Sequence, residues 1–291
     1  MKRSLAVWVI LALSGIAVLL YVLIAPRRES PGTSNASAVP SATSAPQNSP
    51  IKETPTQGPL LRPPSTITTL EISPDKSNEE LMNEISNYPN LEVLRIHCLE
   101  DLATLPDDLG KLTRLKELNM DEGNECAMNP ILPESIGNLH SLKKLDLTGA
   151  QDPRDVDESQ EKRSAEYHKF PASMSDLKGL TYLSLGRNGM REIPSFVRDL
   201  PKLQVFDFSW NMEVKEIPAF VAELRDLTSL NLESDDLTDL PQFLTQLPKL
   251  REISLGNNCA ITQNPAKQQE LKHRFPKVKF NFQDEYDCPE K

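Results

Sequence analysis

The sequence lacks the residue patterns that catalytic and metal sites require. Its four histidines, His97, His140, His168 and His273, show none of the spacings that zinc sites use. No GxSxG nucleophile turn, glycine-rich phosphate loop or dinucleotide fingerprint occurs in the chain. The sequence therefore predicts a non-catalytic protein without a cofactor or a bound metal.

Positive charge is also in short supply. The chain has 32 Lys and Arg against 42 Asp and Glu, which gives a net charge of −10. Affinity for nucleic acid rests on cationic side chains that displace counterions from phosphates. We therefore expect no nucleic-acid partner.

One long apolar run is present, at residues 5–25, and Lys2 and Arg3 precede it. At about 1.5 Å per residue, a helix of this length matches a hydrocarbon core of roughly 30 Å. A cleaved signal usually has a shorter apolar core followed by small residues, whereas Pro26 follows this run. We predict that residues 1–28 are a signal anchor with a transmembrane helix, and a cleaved secretory signal is the alternative.

Residues 29–66 are dense in Pro, Ser, Thr and Ala and carry few large apolar side chains. Such a segment buries too little surface to offset the entropy that ordering would cost. It is predicted to be a disordered, flexible linker.

From residue 67 onwards the sequence repeats. Each unit has apolar residues at its first, fourth and sixth positions and recurs at intervals of mostly about 23–24 residues. A second part of the unit begins with an apolar residue and proline, as in Leu132-Pro133, and proline suits a first helical turn. Equivalent polar residues follow four of the strands, and their side chains are expected to bond open backbone groups of neighbouring coils. These residues are Asn188, Asn211, Asp235 and Asn258.

The segments LPESIGNLHSLKKLDL and IPSFVRDLPKLQVFDFSWN resemble leucine-rich repeats of the LPxxIxxLxxLxxLxLxxN type. Such repeats occur in bacterial leucine-rich-repeat proteins, in animal Ras-pathway scaffolds and in plant Ras-group repeat proteins. The resemblance implies an α/β solenoid of about eight repeats over residues 67–282. A curved parallel sheet would form its concave face, and short helices or 3-10 turns its convex face. It further implies protein binding as the function.

Two segments fall outside the repeat pattern. Residues 151–169 form a polar insertion, which is either a solvated loop or a recognition loop beside the binding surface. Residues 283–291 form a C-terminal tail.

Four cysteines occur, and none is in a CxxC arrangement. A tail folded back would bring Cys288 to Cys259 in the last coil. Cys98 and Cys126 would lie in adjacent coils, which stack about 4.8 Å apart and so within reach of a disulfide. We predict two stabilising disulfides in an oxidising compartment, and buried free thiols are the alternative.

The variable strand residues that point away from the core should form the binding surface. This surface is polar and mixed in charge, which suits a wet, electrostatically matched protein partner. Tyr182 on the face and Trp210 at its rim are the aromatic candidates for interface anchors. The predicted partner-binding residues are Arg95, His97, Lys116, Glu117, Asn119, Lys144, Asp146, Tyr182, Asp207, Trp210 and Asn231.

These features favour a non-catalytic protein-binding module held by a single-pass membrane helix on a flexible stalk. The repeat domain would then be extracytoplasmic, either periplasmic or extracellular. Two alternatives stay open. The resemblance to Ras-pathway scaffolds suggests a cytoplasm-facing scaffold or regulator of a signalling protein, and cleavage of the signal would give a secreted protein. The sequence does not identify the protein ligand.

Overall fold

The structure is a computed structural model that describes residues 66–72, 85, 87–96, 105–120, 131–149, 170–211, 214, 216–286 and 288. Every described residue belongs to the unit Gly58–Lys291. The predicted membrane helix at residues 5–25, the linker up to residue 65 and the insertion at residues 151–169 lie outside the described residues. No helix within the described ranges has the length and apolar character needed to cross a membrane.

Nine short strands of the described chain form one parallel sheet, and they follow each other in sequence order. Each strand pairs in register with its equivalent in the next coil, so that Leu94 pairs with Leu118 and Leu230 with Ile253. The repeat unit seen in the sequence therefore corresponds to one coil of a solenoid. The strands are β1 (Thr69–Ile72), β2 (Val93–Ile96), β3 (Glu117–Asn119), β4 (Lys144–Asp146), β5 (Tyr182–Ser184), β6 (Val205–Asp207), β7 (Ser229–Asn231), β8 (Glu252–Ser254) and β9 (Lys279–Asn281).

The apolar repeat positions form one continuous core. The central residues of β3 to β6 are Leu118, Leu145, Leu183 and Phe206, and each has no exposed surface. A single coil could not bury these side chains by itself, whereas stacked coils share them. Because strand residues alternate between two faces, the residues on either side of each central one lie on the other face of the sheet. We call this other face of the sheet the concave face.

The opposite, convex side consists of short 3-10 helices, each of which begins directly after a proline. Pro133, for example, precedes Glu134–Asn138. Proline fits there because the first turn of a helix does not need its N–H group. The 3-10 helices are Asp107–Lys111, Glu134–Asn138, Ala172–Asp176, Ser195–Asp199, Ala219–Glu223 and Gln242–Gln246.

The predicted ladder of polar side chains is confirmed in the C-terminal coils. Asn211 Nδ2 donates to the carbonyl oxygens of Leu185 and Phe208 at 3.0 and 2.6 Å. Its Oδ1 atom accepts from the backbone N–H of Asn188 in the preceding coil at 3.1 Å. Asn258 likewise donates to Leu232 of the preceding coil at 2.7 Å. The ladder therefore satisfies backbone groups that the turns would otherwise bury without partners.

Two helices close the C-terminal end, α1 (Cys259–Thr262) and α2 (Pro265–Arg274). The side chain of Asn264 caps α2 by accepting a hydrogen bond from the backbone N–H of Lys267 at 3.1 Å. Leu271 and Phe275 are 0% and 3% exposed. They cover the core where the coils end.

Candidate protein-binding face

The sheet register arranges the side chains of the concave face in two rows. Because neighbouring strands pair in parallel without offset, equivalent residues stand side by side from coil to coil. The first row contains Glu117, Lys144, Tyr182, Val205, Ser229 and Glu252. The second row contains Arg95, Asn119, Asp146, Ser184, Asp207 and Asn231. The predicted site residues within these strands thus share one face, while His97 lies outside the described residues.

Four of the predicted residues form a connected line across strands β2 to β5. Glu117 Oε1 lies 3.3 Å from Arg95 Nη2 and 3.6 Å from Lys144 Nζ. The Lys144 ammonium then lies 5.2 Å from the centre of the Tyr182 ring, a cation–π distance. We call Arg95, Glu117, Lys144 and Tyr182 the central line. It presents both charges and an aromatic ring to solvent.

A second ionic group lies beside the central line, just before strand β3. Lys116 Nζ donates to Glu92 Oε2 at 2.8 Å, and Arg114 Nη2 lies 3.8 Å from Glu92 Oε1. The hydrogen bond from Lys116 holds the pKa of Glu92 below its usual value. Exposed ion pairs of this kind contribute little to stability, because water and salt screen them. Their main effect is to set a charge pattern that a partner can match.

Several residues of the second row have a structural role that the sequence analysis missed. Asp207 Oδ1 accepts from the backbone N–H and the hydroxyl of Ser209 at 2.9 and 2.7 Å. Asp146 makes the same two bonds to Thr148 at 3.3 and 2.8 Å. These are Asx turns, which turn the chain after strands β6 and β4. The signal was available as Asp-x-Ser and Asp-x-Thr at the strand ends.

The prediction that Asp146 faces solvent and binds a partner is therefore not supported by its surroundings. It is 7% exposed, and the hydroxyl of Thr148 that binds it also lies 2.6 Å from the Ser184 hydroxyl of the next coil. Asn231 keeps more exposure, although its Oδ1 atom accepts from the backbone N–H of Glu233 at 3.3 Å. Both residues therefore organise the turns beside the face.

Trp210 lies in the turn after strand β6, as its sequence position predicted. Its φ angle of 63° matches those of Arg187, Ser234 and Asn257, at 57°, 58° and 57°, so all four occupy the same turn position. Few residues with side chains adopt this left-handed region. The indole ring meets the ring of Tyr286 edge to face, with 5.4 Å between centroids, and the guanidinium of Arg187 lies 5.2 Å from its centre.

The turns near Trp210 carry a concentration of negative charge. Burial raises the pKa of Glu233, and the carboxylates of Glu285, Asp207 and Asp284 raise it further. Their mutual repulsion disfavours the charged form of Glu233. Within the described ranges, however, no group of three or more His, Cys, Asp or Glu side chains is placed to hold a metal ion.

The predicted bridge between Cys259 and Cys288 is present as a disulfide, with 5.6 Å between the Cα atoms. It joins the start of α1 to the C-terminal tail. Cys98 and Cys126, which form the other predicted pair, lie outside the described residues.

No model of a known protein family matches the chain. The Arabidopsis thaliana protein SUPPRESSOR OF npr1-1, CONSTITUTIVE 1 is 29% identical over 124 residues, which are 43% of this chain and 7% of that protein. A solved leucine-rich-repeat protein of Leptospira interrogans is 25% identical, with a TM-score of 0.41 over 69% of this chain and 57% of that one. The TLR13–ssRNA13 complex contains a chain with 21% identity and a TM-score of 0.51, over 74% of this chain and 29% of that one. The chain therefore spans less than two thirds of each, and the likeness to TLR13 concerns the fold alone.

Proposed function

Since this chain is a leucine-rich-repeat protein in fold and repeat pattern, we propose that it is a non-catalytic protein-binding module displayed from a membrane on a flexible stalk. The observation that carries the proposal is the central line of Arg95, Glu117, Lys144 and Tyr182. These side chains face solvent from four adjacent strands, and the sheet register fixes their spacing.

The composition of this face fits a protein partner. Interfaces of non-obligate complexes combine aromatic and arginine anchors with a polar, hydrated rim. Tyr182 and Arg95 are such anchors, and Glu117 and Lys144 between them supply charges of both signs. A protein surface with complementary charges can replace these intramolecular contacts with contacts of its own.

Three features of the chain support display of the domain outside a membrane. The apolar run at residues 5–25 is long enough to span a bilayer. The disulfide between Cys259 and Cys288 requires an oxidising compartment, such as the periplasm or the cell exterior, to persist. The composition of the linker between residue 29 and the first strand suits a stalk.

Site-directed photocrosslinking in the cells that make the protein tests the binding face. A photoreactive amino acid in place of Tyr182 should give a discrete covalent adduct with another protein. The same amino acid in place of Thr245, which is exposed on the convex side, should give none. Adducts of equal yield at both positions, or at neither, would contradict the proposed face.

A charge reversal sharpens this test. Lys144→Glu replaces the ammonium next to position 182 with a negative charge beside Glu117, so the adduct at position 182 should decrease about tenfold or more. Lys249→Glu makes the same change at an exposed lysine that pairs with Asp226. It should leave the adduct intact.

Thiol labelling tests the orientation. If the domain is displayed outside the membrane, a membrane-impermeant maleimide labels Cys259 and Cys288 in intact cells only after reduction. If these thiols label only after lysis, and without any reductant, the domain faces the cytoplasm. In that case the cytoplasmic scaffold alternative replaces display outside the membrane. The binding face is still tested separately by photocrosslinking.

A further inference from the structure

The C-terminal tail crosses the turns at one edge of the concave face. Residues 283–286 and Cys288 form this segment, which we call the strap. The turn residue Asn257 donates its backbone N–H to Asp284 Oδ1 at 2.6 Å. Its Oδ1 atom accepts from the backbone N–H groups of Glu285 and Tyr286 at 2.8 and 3.3 Å. One asparagine therefore binds three consecutive strap residues.

Tyr286 of the strap contacts Trp210, the aromatic residue that the sequence marked as a binding candidate. Tyr286 packs against the Trp210 ring in an edge-to-face contact, although it belongs to a different part of the chain. Tyr286 is itself 63% exposed. The contact therefore covers part of the Trp210 ring without anchoring the strap in the core.

The negative charges of the strap are repelled by the carboxylates that it lies beside. Asp284 and Glu285 are among the carboxylates that raise the pKa of Glu233, together with burial and Asp207. Like charges at this distance repel each other. The strap is thus held by Asn257, by the Tyr286 ring and by the disulfide from Cys288 to Cys259, against an electrostatic force that favours its release.

We propose that the strap is an internal occupant of a binding surface formed by Trp210, Glu233, Ser234 and Asn257, and that opening the Cys259–Cys288 disulfide frees this surface for the protein partner. The proposal rests on the proposed function, because it treats this rim as part of the same interface. Beyond the proposed function, it states what controls access to the interface and which kind of partner segment binds there.

The opening reaction is an ordinary thiol–disulfide exchange. A thiolate of a dithiol reductant attacks one sulfur of the bridge, the other sulfur leaves as a thiolate, and the second thiol of the reductant resolves the mixed disulfide. The protein ends with two protonated thiols and the reductant with one disulfide. Cys259 and Cys288 are both only partly buried, so a reductant can reach the bond.

The contacts of the strap also indicate what a partner segment would look like. Asn257 offers its side-chain oxygen to backbone N–H groups, which any extended segment can supply. Trp210 offers a ring face that already accepts the guanidinium of Arg187. Glu233 and Asp207 favour basic residues where the strap has acidic ones. The partner segment is therefore extended and basic, with an aromatic or arginine side chain for Trp210.

Trp210 fluorescence tests the release of the strap. The chain has two tryptophans, so Trp8→Phe leaves Trp210 as the single reporter in the full chain in detergent micelles. In this background, reduction with a phosphine, or Cys259→Ser with Cys288→Ser, should shift the emission to longer wavelength and increase quenching by acrylamide. Tyr286→Ala should give the same change before reduction and little further change after it.

Controls separate release of the strap from general unfolding. Cys98→Ser with Cys126→Ser removes the other two cysteines, and reduction should still shift the Trp210 emission. Far-ultraviolet circular dichroism should be unchanged in every variant, because the strap lies outside the strands and the core. Emission and quenching that stay the same after the Cys259–Cys288 bond is lost, in a folded chain, would overturn the proposal.

Binding distinguishes this proposal from the proposed function. A synthetic extended peptide with alternating lysine and tryptophan is the probe, and its affinity should rise about tenfold when the disulfide is absent, since the strap no longer competes. Equal affinity with and without the disulfide overturns the strap proposal even when photocrosslinking at position 182 succeeds. If the strap is released on reduction but photocrosslinking at position 182 fails, the proposed function is contradicted instead.

Discussion

The coils before residue 150 and those after residue 170 follow the same repeat register, but they join their neighbours by different contacts. On the convex side of the early coils, a Cβ atom added to Gly110 or Gly137 would lie 2.5 or 2.6 Å from the next coil's Ser135 or Ser173. In the later coils the position of these serines holds Phe196, Phe220 and Phe243. There, aromatic rings make contacts between coils: the Phe196 ring lies 5.3 Å from the Phe170 ring of the preceding coil, and the Arg198 guanidinium lies 5.0 Å from the Phe220 ring.

The turns that follow the strands also differ between the early and the later coils. The later coils carry the ladder of Asn188, Asn211, Asp235 and Asn258, whose side chains are fully buried. Counted from the paired residues Leu145 and Leu183, the position of Asn188 corresponds to Ala150 in the earlier coil. Apolar repeat residues thus suffice to set the register, while the ladder and the aromatic contacts add stability locally.

Removing one rung of the ladder should have the largest effect. Asn211→Ala deletes two donated and two accepted hydrogen bonds in a fully buried position. At about 1 kcal/mol for each lost bond, the free energy of unfolding should fall by about 4 kcal/mol. Urea denaturation followed by circular dichroism measures this. Asn231→Ala, which removes an amide from the turn after β7, is the control and should cost about 1 kcal/mol.

Asp235 is the irregular rung of the ladder and should have the next largest effect. Its Oδ1 atom accepts from the backbone N–H of Asn211, whereas its Oδ2 atom has no hydrogen-bond partner among the described residues. Burial raises the pKa of Asp235 to about 8, and the nearby Asp207, Asp236 and Glu233 carboxylates contribute. An amide at this position could donate hydrogen bonds where the carboxylate cannot, as Asn211 and Asn258 do.

Because the pKa of Asp235 is higher in the folded than in the unfolded state, its protonated form favours folding. The contribution is complete below the unfolded value near 3.8 and is lost as the pH rises towards about 8. Asp235→Asn should therefore stabilise the protein by about 3 kcal/mol at neutral pH, and the gain over the parent chain should shrink towards pH 4. A difference that does not change with pH would show that Asp235 does not titrate in this range. Urea midpoints from pH 4 to 8 give the answer.

The close glycine contact of the early coils gives the third prediction. Gly137→Ala adds a Cβ atom 2.6 Å from the Ser173 backbone oxygen, so the two coils must move apart. Overpacking of this kind costs about 1–3 kcal/mol. Ser175→Ala changes the equivalent residue of the next coil, which already has a Cβ atom, and should change stability by less than about 0.5 kcal/mol. Similar thermal midpoints for both variants would mean that the early coils are not packed more tightly.

The sequence was sufficient to predict the coils, the parallel sheet and the ladder, because each rests on a short pattern that recurs at a fixed spacing. It also placed Tyr182 on the open face and Trp210 in its turn, since both follow from the repeat register. The strap was not predicted beyond its disulfide, because Tyr286 belongs to no repeat. Its contact with Trp210 depends on the path of a tail after the last strand. The Asx turn at Asp146 was missed for a different reason, as a charged strand residue was taken to face a partner.

Surface ion pairs should distinguish the two regions least, and they give the smallest predicted effect. Lys249 Nζ lies 2.6 Å from Asp226 Oδ1 in the later coils, and Lys116 Nζ lies 2.8 Å from Glu92 Oε2 in the early ones. Both lysines are more than half exposed, so water and salt screen the two pairs alike. Double-mutant cycles with alanine should give small coupling energies of similar size for the two pairs. Equal values would mean that surface ion pairs do not distinguish the two regions, which would leave the ladder and the interior packing as the difference between them. A clearly larger value in the later coils would show that surface charge also distinguishes these coils.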